Sequence, residues 1–402
     1  MSGPLAGVRV IDLTRVIAGP YATMILADQG ADVIKVEELG TGDHVRRLGH
    51  RGGGIPATFL NNNRNKRSVS LDLKHPAGRE VLLKLCEGAD VLVQNFRAGV
   101  VERLGIDEAA VRARAPGIIY VSINGFGETG PYADKPAYDP IIQALTGLTS
   151  IQGGADEARP RLVRTILPDK LTGMTAAQAI SAALFARSRT GEGQHVRVSM
   201  MDAVLAFLWS SDMGSQTFVD NPVSVQKAAS FIDLIYETAD GYMTAAVNSD
   251  KEWRALCRAL EKPEWLEDPR FANPTAREAN IDTRLQLTQE VLKTRTTADW
   301  IERLEAENVP CAPVLHRKDV VHHPQVVASG ILVETDHPEA GRLRQARNAA
   351  RFSGTPTEIR RGGAPRGAHN DEVLADAGYS APEIDALRRQ GVIGDETAAA
   401  AE

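Results

Sequence analysis

Cysteine is scarce. The 402 residues hold three, Cys86, Cys257 and Cys311, far apart and with no C-x-x-C pair, which excludes a disulfide scaffold or zinc ribbon and fits a reducing compartment. Long apolar runs are missing too: no segment reaches the roughly 18 uninterrupted apolar residues of a membrane span. The opening MSGPLAGVRVIDLT has no basic stretch followed by an apolar one. The expectation is a cytoplasmic protein that engages no membrane. Positive charge is not in excess, because 46 Lys and Arg stand against 52 Asp and Glu for a net charge of -6, so no global field draws the chain to nucleic acid. Any polyanionic ligand must be met by a local basic cluster. There is no G-x-S-x-G elbow and no Walker glycine loop, and only Gly19 stands where a dinucleotide fold carries three glycines, although Glu37 resembles a ribose-binding acid. Acyl transfer through Ser or Cys and a nicotinamide or flavin prosthetic group therefore lack support. The nine histidines are scattered, and His322-His323-Pro324 has no i, i+4 partner, so no metal site is expected.

What is present is a globular composition, 43% hydrophobic and 24% charged, with length for two or three domains. Residues 7–13 (GVRVIDL) read as a buried strand, 20–29 as a helix opened by Gly19-Pro20, and 31–37 as a second strand, which makes a βαβ unit. A helix over 76–87, strands over 90–96 and 117–127, a helix over 172–187, a strand over 195–200 and an apolar helix over 201–216 continue the α/β alternation of a parallel sheet. After about residue 220 the texture changes to a hairpin over 231–247, turning at Asp240-Gly241, followed by charged amphipathic helices, with prolines ending the pattern over 311–325. The expected organisation is residues 1–220 in an α/β domain, 225–325 in a small domain, and 326–402 as a linker and C-terminal part with a helix or two and a frayed TAAAAE tail.

Two stretches could carry chemistry. In LPDKLTGMTAAQAI (167–180) Asp169 stands alone ahead of a helical pattern, where an acid is a preferred N-cap; a carboxylate with an ordinary pKa near ~3.9 is also an ionised nucleophile at neutral pH. In NNNRNKRSVSLDLK (61–74) Arg64, Lys66, Arg67 and Lys74 face one acid, Asp72, and lead into an apparent strand; a solvated loop and a phosphate-binding cluster both fit. Arg15, Arg97 and Arg103 lie after other strand ends, where open α/β sheets bind ligands, which favours phosphate.

These pieces together resemble the class III CoA-transferase family, also called CaiB/BaiF, in PLAGVRVIDLTRVIAGP, GADVIKVE, NRNKRSVSLDLK, ADVLVQNFRAGVVERLG, GFGETGPYADKPAYD, LPDKLTGMTAAQAI, RTGEGQHVRVSMMDAVL and HNDEVLADAGYSAPEIDALRRQGVI. The resemblance implies that Asp169 is the catalytic nucleophile, passing through a mixed anhydride and an aspartyl-CoA thioester. It implies coenzyme A contacts at Val16, Ile17 and Ala18, at Leu71, Asp72, Leu73 and Lys74, at Asn95, Phe96 and Arg97, and at Arg103, Lys135, Tyr138 and Met200, joining Arg15. It further implies a Rossmann-like large domain built from both chain ends, a smaller α+β domain and an interlocked homodimer, with acyl-CoA and a small carboxylic acid as substrates and no prosthetic group. Gly173, Ala176 and Ala177 would allow either close substrate approach or ordinary helix packing. Two departures are visible: Glu38 stands where the formyl-CoA enzyme has an arginine, and no glycine run precedes 241–247. The family also holds α-methylacyl-CoA racemases, but Tyr138 stands where those carry histidine, and a phenol is a poor neutral-pH base. The remaining alternative is a CoA-binding protein without catalysis, with Asp169 a mere cap.

Overall fold

Six short runs, most of them rich in Val and Ile, build one parallel sheet: β1 (Arg9–Asp12), β2 (Asp32–Glu37), β3 (Lys66–Ser70), β4 (Val91–Gln94), β5 (Ile119–Asn124) and β6 (His195–Ser199). The computed structural model describes residues 2–154, 157–220 and 234–394. The strands lie in the order β3-β2-β1-β4-β5-β6, each parallel to its neighbour, which is the order of a Rossmann sheet. The chain winds outward from β1 one way and from β4 the other. The C-terminal ends of β1 and β4 therefore flank the switch point, where such sheets leave a ligand crevice.

Both faces of the sheet are covered because alternate strand residues point to opposite sides. Val10, Val33, Val93 and Val121 pack on α1 (Ala18–Asp28) and α4 (Leu167–Thr190), and Ile11, Ile34, Val69 and Leu92 pack on α2 (Pro76–Glu87) and on the C-terminal segment. Each fully buried aliphatic side chain contributes roughly 1.5–3 kcal/mol, against about 0–1 for an exposed ion pair, so the apolar faces hold the sheet together. α3 (Asp139–Leu145) and α5 (Met200–Trp209) follow β5 and β6, and α5 ends short of the apolar run expected to reach residue 216. The chain end returns to this unit as α6 (Asn370–Asp376) and α7 (Ala381–Arg389). His369 Nδ1 and Asn370 Oδ1 accept from the Ser68 and Ser70 amides at 3.1 and 2.9 Å, which satisfies the open side of edge strand β3.

The basic run at 64–67 is neither a solvated loop nor a phosphate cluster. Arg64, Lys66 and Arg67 are buried, and each meets an acid from another element: Arg64 to Asp28 at 2.6 Å, Lys66 to Asp12 at 3.0 Å and Arg67 to Asp32 at 2.6 Å. The partners lie on β1, β2 and α1, far away in sequence. Of the four cations only Lys74 reaches solvent, with 77% of its side chain exposed.

The chain divides into two compact units, with breaks near residues 222 and 328 and a short excursion at 153–160. The smaller unit carries an antiparallel sheet of Ile235–Glu237, Tyr242–Ala245 and Cys311–Pro313, so residues read as a proline-interrupted domain end form an edge strand. Thr238 N–H donates to the Gly241 carbonyl at the expected turn; residues 231–233 of that hairpin and the TAAAAE tail lie outside the described residues. Trp253, Trp265, Phe271 and Trp300 centre its core. Among the described residues no helix is long and apolar enough to cross a membrane.

Candidate active site

At the switch point β1 runs into α1 through Thr14-Arg15-Val16-Ile17, and the turn is held by side chains rather than by glycine. Val16 has φ +71°, a left-handed conformation that a β-branched residue rarely adopts. Its N–H donates to Asp43 Oδ1 (3.1 Å), while Lys35 Nζ donates to Asp43 Oδ2 and to the Thr14 carbonyl, both at 2.9 Å. Asn95, at the end of β4, grips the other side: its Oδ1 accepts from Arg15 N–H at 2.9 Å and its Nδ2 donates to the Arg15 carbonyl at 2.8 Å. Beneath, burial works against the Lys35 ammonium, yet Asp43, Asp12 and Glu37 raise its pKa. Burial likewise opposes the Asp12 carboxylate, but Lys66, Lys35 and the Thr14 and Thr23 hydroxyls hold it down at about 2. The charges of this buried cluster are mutually compensated.

Asp169 stands in the first turn of α4, whose N-cap is Ile166, so it does not cap the helix; Pro168 pre-sets the first turn instead. The Ala18 backbone N–H at the start of α1 faces its carboxylate and favours the charged form. The N-termini of α1 and α4 thus meet at one carboxylate, and both dipoles favour its charged form. Gly173 makes this approach possible, since a β-carbon there would stand 2.7 Å from the Ala18 carbonyl oxygen. Gly173, Ala176 and Ala177 are buried where α4 packs on α1. Burial, with the neighbouring Asp139 carboxylate, pushes the Asp169 carboxyl up to about 6, against the Ala18 N–H. The ordinary acidity expected from sequence is corrected: Asp169 is a more basic carboxylate that stays mostly ionised at pH 7.

Asp139, the first residue of α3, is itself raised by burial; Gln143 Nε2 donates to its Oδ1 at 2.6 Å, and Oδ2 is buried without a hydrogen bond. Gln143 is fixed in turn by accepting from Val163 N–H at 2.9 Å and donating to the Val163 carbonyl at 3.1 Å. Sequence reasoning gave Asp139, Gln143, Asp43 and Lys35 no role. Only the position of Asp139 directly after Tyr138 could have drawn notice to it.

The residues expected to hold a polyanion fall into several groups. Arg15 lies over the Phe96 ring at 5.3 Å and within 3.6 Å of Glu38, which also binds Lys74 at 3.1 Å, so Arg15 and Lys74 meet at one acid while Phe96 and Asn95 contact Arg15. Val16 is exposed at the turn, and Ile17 and Ala18 are buried with their backbone at the start of α1. Arg97 and Arg103 are exposed on the segment after β4. Tyr138 is exposed ahead of α3, and Lys135 Nζ sits 3.4 Å from the Tyr132 ring centroid. Asp72 and Leu73 are half-buried, with Asp72 Oδ1 accepting from Lys74 N–H at 2.9 Å. Leu71 and Met200 are buried, Leu71 bridging to Ile393 and Met200 packing with Phe126 and Ile142, so their side chains face the core. Among the described residues no three His, Cys, Asp or Glu side chains gather as a metal site requires.

Residues 5–370 match the family model described as CoA-transferase family III. The chain is 36% identical to the succinate–glutarate CoA-transferase of Agrobacterium fabrum, over 93% of this chain and 95% of that one. It is 34% identical to the acetyl-CoA:oxalate CoA-transferase of Acetobacter aceti, over 95% and 97%. Among solved structures, a CaiB/BaiF family protein from Brucella suis superposes with a TM-score of 0.82 at 31% identity, covering 94% of this chain and all of that one (100%).

Proposed function

From the premise that this chain belongs to CoA-transferase family III and is a transferase, we propose that it moves coenzyme A from an acyl-CoA donor to a free carboxylic acid through Asp169. An Asp169 oxygen attacks the thioester carbonyl and the C–S bond breaks, leaving a mixed anhydride and the CoA thiolate. The thiolate then attacks the aspartyl carbonyl, which releases the donor acid and forms an aspartyl-CoA thioester. An acceptor carboxylate attacks that thioester to make a second anhydride, and the thiolate takes the acceptor acyl group, restoring the Asp169 carboxylate. Each step exchanges one activated carbonyl for another, so no outside energy source enters.

The observation that carries the reading is the half-buried Asp169 carboxylate, raised to about 6 and facing the Ala18 N–H at the start of α1. A raised pKa increases nucleophilicity while leaving most of the group ionised at pH 7. Arg15, Lys74, Arg97 and Arg103 supply charge for the phosphates of CoA. Backbone contacts at Val16 to Ala18, Leu71 to Lys74 and Asn95 to Arg97, with Lys135, Tyr138 and Met200, complete the proposed cradle. The relatives' substrates put a short dicarboxylic acid first among acceptors. The racemase reading gains no support from Tyr138, whose side chain is exposed.

We also propose an interlocked homodimer in the cytoplasm. Ile141, Leu145, Met174, Phe185, Phe207 and Trp209 are large apolar side chains left exposed on α3, α4 and α5, the kind of surface an interface between copies would cover. The three cysteines are free, which suits a reducing compartment.

The test is to incubate the chain with a panel of acyl-CoA donors and free acids, read product thioesters by mass spectrometry, and trap with hydroxylamine during turnover. New thioesters and a hydroxamate at Asp169 are expected. An Asp169→Ala variant that folds and still transfers CoA ends the proposal.

A further inference from the structure

The two peptide groups flanking Arg15 are bonded at all four of their polar atoms, and every partner is a side chain. Between residues 14 and 15, the Thr14 carbonyl accepts from Lys35 Nζ and the Arg15 N–H donates to Asn95. Between residues 15 and 16, the Arg15 carbonyl accepts from Asn95 and the Val16 N–H donates to Asp43. Loop backbone is ordinarily satisfied by water, by other backbone or by a single cap, so such confinement marks a conformation the chain would otherwise leave. Val16 is that conformation, with φ +71° on a β-branched residue. Ile17 caps α1 and Ala18 begins it, against the first turns of α4: a β-carbon on Gly173, one turn after Asp169, would stand 2.7 Å from the Ala18 carbonyl oxygen, and the Ala18 N–H faces the Asp169 carboxylate.

Asp43 is the member that holds the strained residue itself. It is 1% exposed, accepts from Val16 N–H, Val45 N–H and Lys35 Nζ at 3.1, 3.2 and 2.9 Å, and donates its own N–H to Glu37 Oε2 at 2.9 Å. Glu37 is gripped by Arg46 Nε and an Arg46 terminal nitrogen at 2.7 and 2.6 Å. Asp43 is therefore anchored to β2 on two sides and offers one oxygen to the turn.

Resting on the reading of Asp169 as nucleophile, we infer that Asp43 is a positioning residue: by holding Val16 left-handed it aims the Ala18 N–H at the Asp169 carboxylate. Its removal lets Val16 relax to negative φ, turns the start of α1 and swings the Ala18 N–H away from Asp169. The charged groups around Asp169 would be unchanged, namely Asp139 from α3, with Lys170 on α4 acting on Asp139.

The inference separates from a plain stabilising ion pair by rescue. Glycine takes positive φ without strain, so Val16→Gly should restore a turn that has lost Asp43. Full-length chains carrying Asp43→Ala, and Asp43→Ala with Val16→Gly, are labelled with 13C at Asp carboxyls, Asp169 being assigned with Asp169→Asn. Its titration is followed by NMR, and turnover is measured with succinyl-CoA and glutarate. In Asp43→Ala the Asp169 midpoint should move up in pH and kcat should fall roughly tenfold or more; in the double variant the midpoint should return toward wild type. An unmoved midpoint in folded Asp43→Ala, or a moved one that Val16→Gly leaves uncorrected, overturns the inference. If Asp43→Ala does not fold, Asn95→Ala carries the test, because it removes only neutral bonds to the same turn; the same shift and rescue are required. Turnover by Asp169→Asn would instead defeat the nucleophile reading while leaving the NMR result standing.

Discussion

Gly173 lies against the carbonyl oxygen of Ala18, so close that a β-carbon would stand 2.7 Å from that oxygen and 2.9 Å from the Tyr21 ring. The backbone oxygen cannot swing aside as a side chain could. Gly173→Ala is therefore expected to push α1 and α4 apart, costing about 1–3 kcal/mol of stability as overpacking does. The same displacement pulls the Ala18 N–H from Asp169, so kcat should fall by roughly tenfold or more. Urea unfolding and steady-state kinetics check the two halves separately. Full activity in a folded variant would mean that the contact at Ala18 is dispensable.

Asp139 adds to burial in setting the acid limb. Asp169 is raised by burial and by this second carboxylate, so Asp139→Asn should lower its pKa, while the Gln143 amide can turn to meet the new side chain. Activity needs the ionised form, so wild-type kcat/KM should fall as pH drops through about 6. In the variant that limb should move to lower pH, with a smaller plateau because a less basic carboxylate is a weaker nucleophile. A limb that stays in place would show that the two carboxylates are uncoupled.

The same raised pKa is a stability cost. A carboxyl whose folded pKa lies above its unfolded one binds protons more tightly in the native state, so stability falls as pH rises from 3.8 to about 6 and stays low above that. Asp169→Asn should thus stabilise the chain at pH 7–8 by on the order of 2 kcal/mol, and by much less near pH 4. Thermal melts at the two pH values read the difference directly. Equal gains at both would assign the effect to packing rather than to charge.

Much of the sheet was legible because its signal is local. GVRVIDL, ADVIKVE and DVLVQNF are short buried runs bounded by turn residues, and such runs dictate strands by themselves. The basic run at 64–67 misled because its meaning lies in partners 35 to more than 300 residues away: Asp28, Asp32, Asp12, Glu372 and Asp376. Charge in a sequence window cannot distinguish a solvated face from a strand whose counterions arrive from other elements. Asp169 could be singled out, but not its pKa, which depends on burial and on Asp139, thirty residues earlier. The αL turn at Val16 was invisible for a related reason: no glycine announced it, and the side chains that enforce it, Asp43, Lys35 and Asn95, come from three other segments.

Glu38 gives the sharpest test of the proposed phosphate site. It occupies the space between Arg15 and Lys74, two cations proposed to receive CoA, and its pKa is lowered chiefly by the hydrogen bond from Lys74, with Arg15 adding to it. A phosphate must therefore compete with a carboxylate already in place. An exposed pair of this kind is worth up to about 1 kcal/mol, which converts to at most about fivefold in affinity. Glu38→Gln frees both cations without changing shape, so KM for acyl-CoA should drop by up to about fivefold while kcat holds. Binding should also weaken more steeply with added salt, because more unneutralised charge faces the phosphates. A KM that rises instead would make Glu38 a direct ligand, and Arg15 and Lys74 would then have to be removed from the phosphate site.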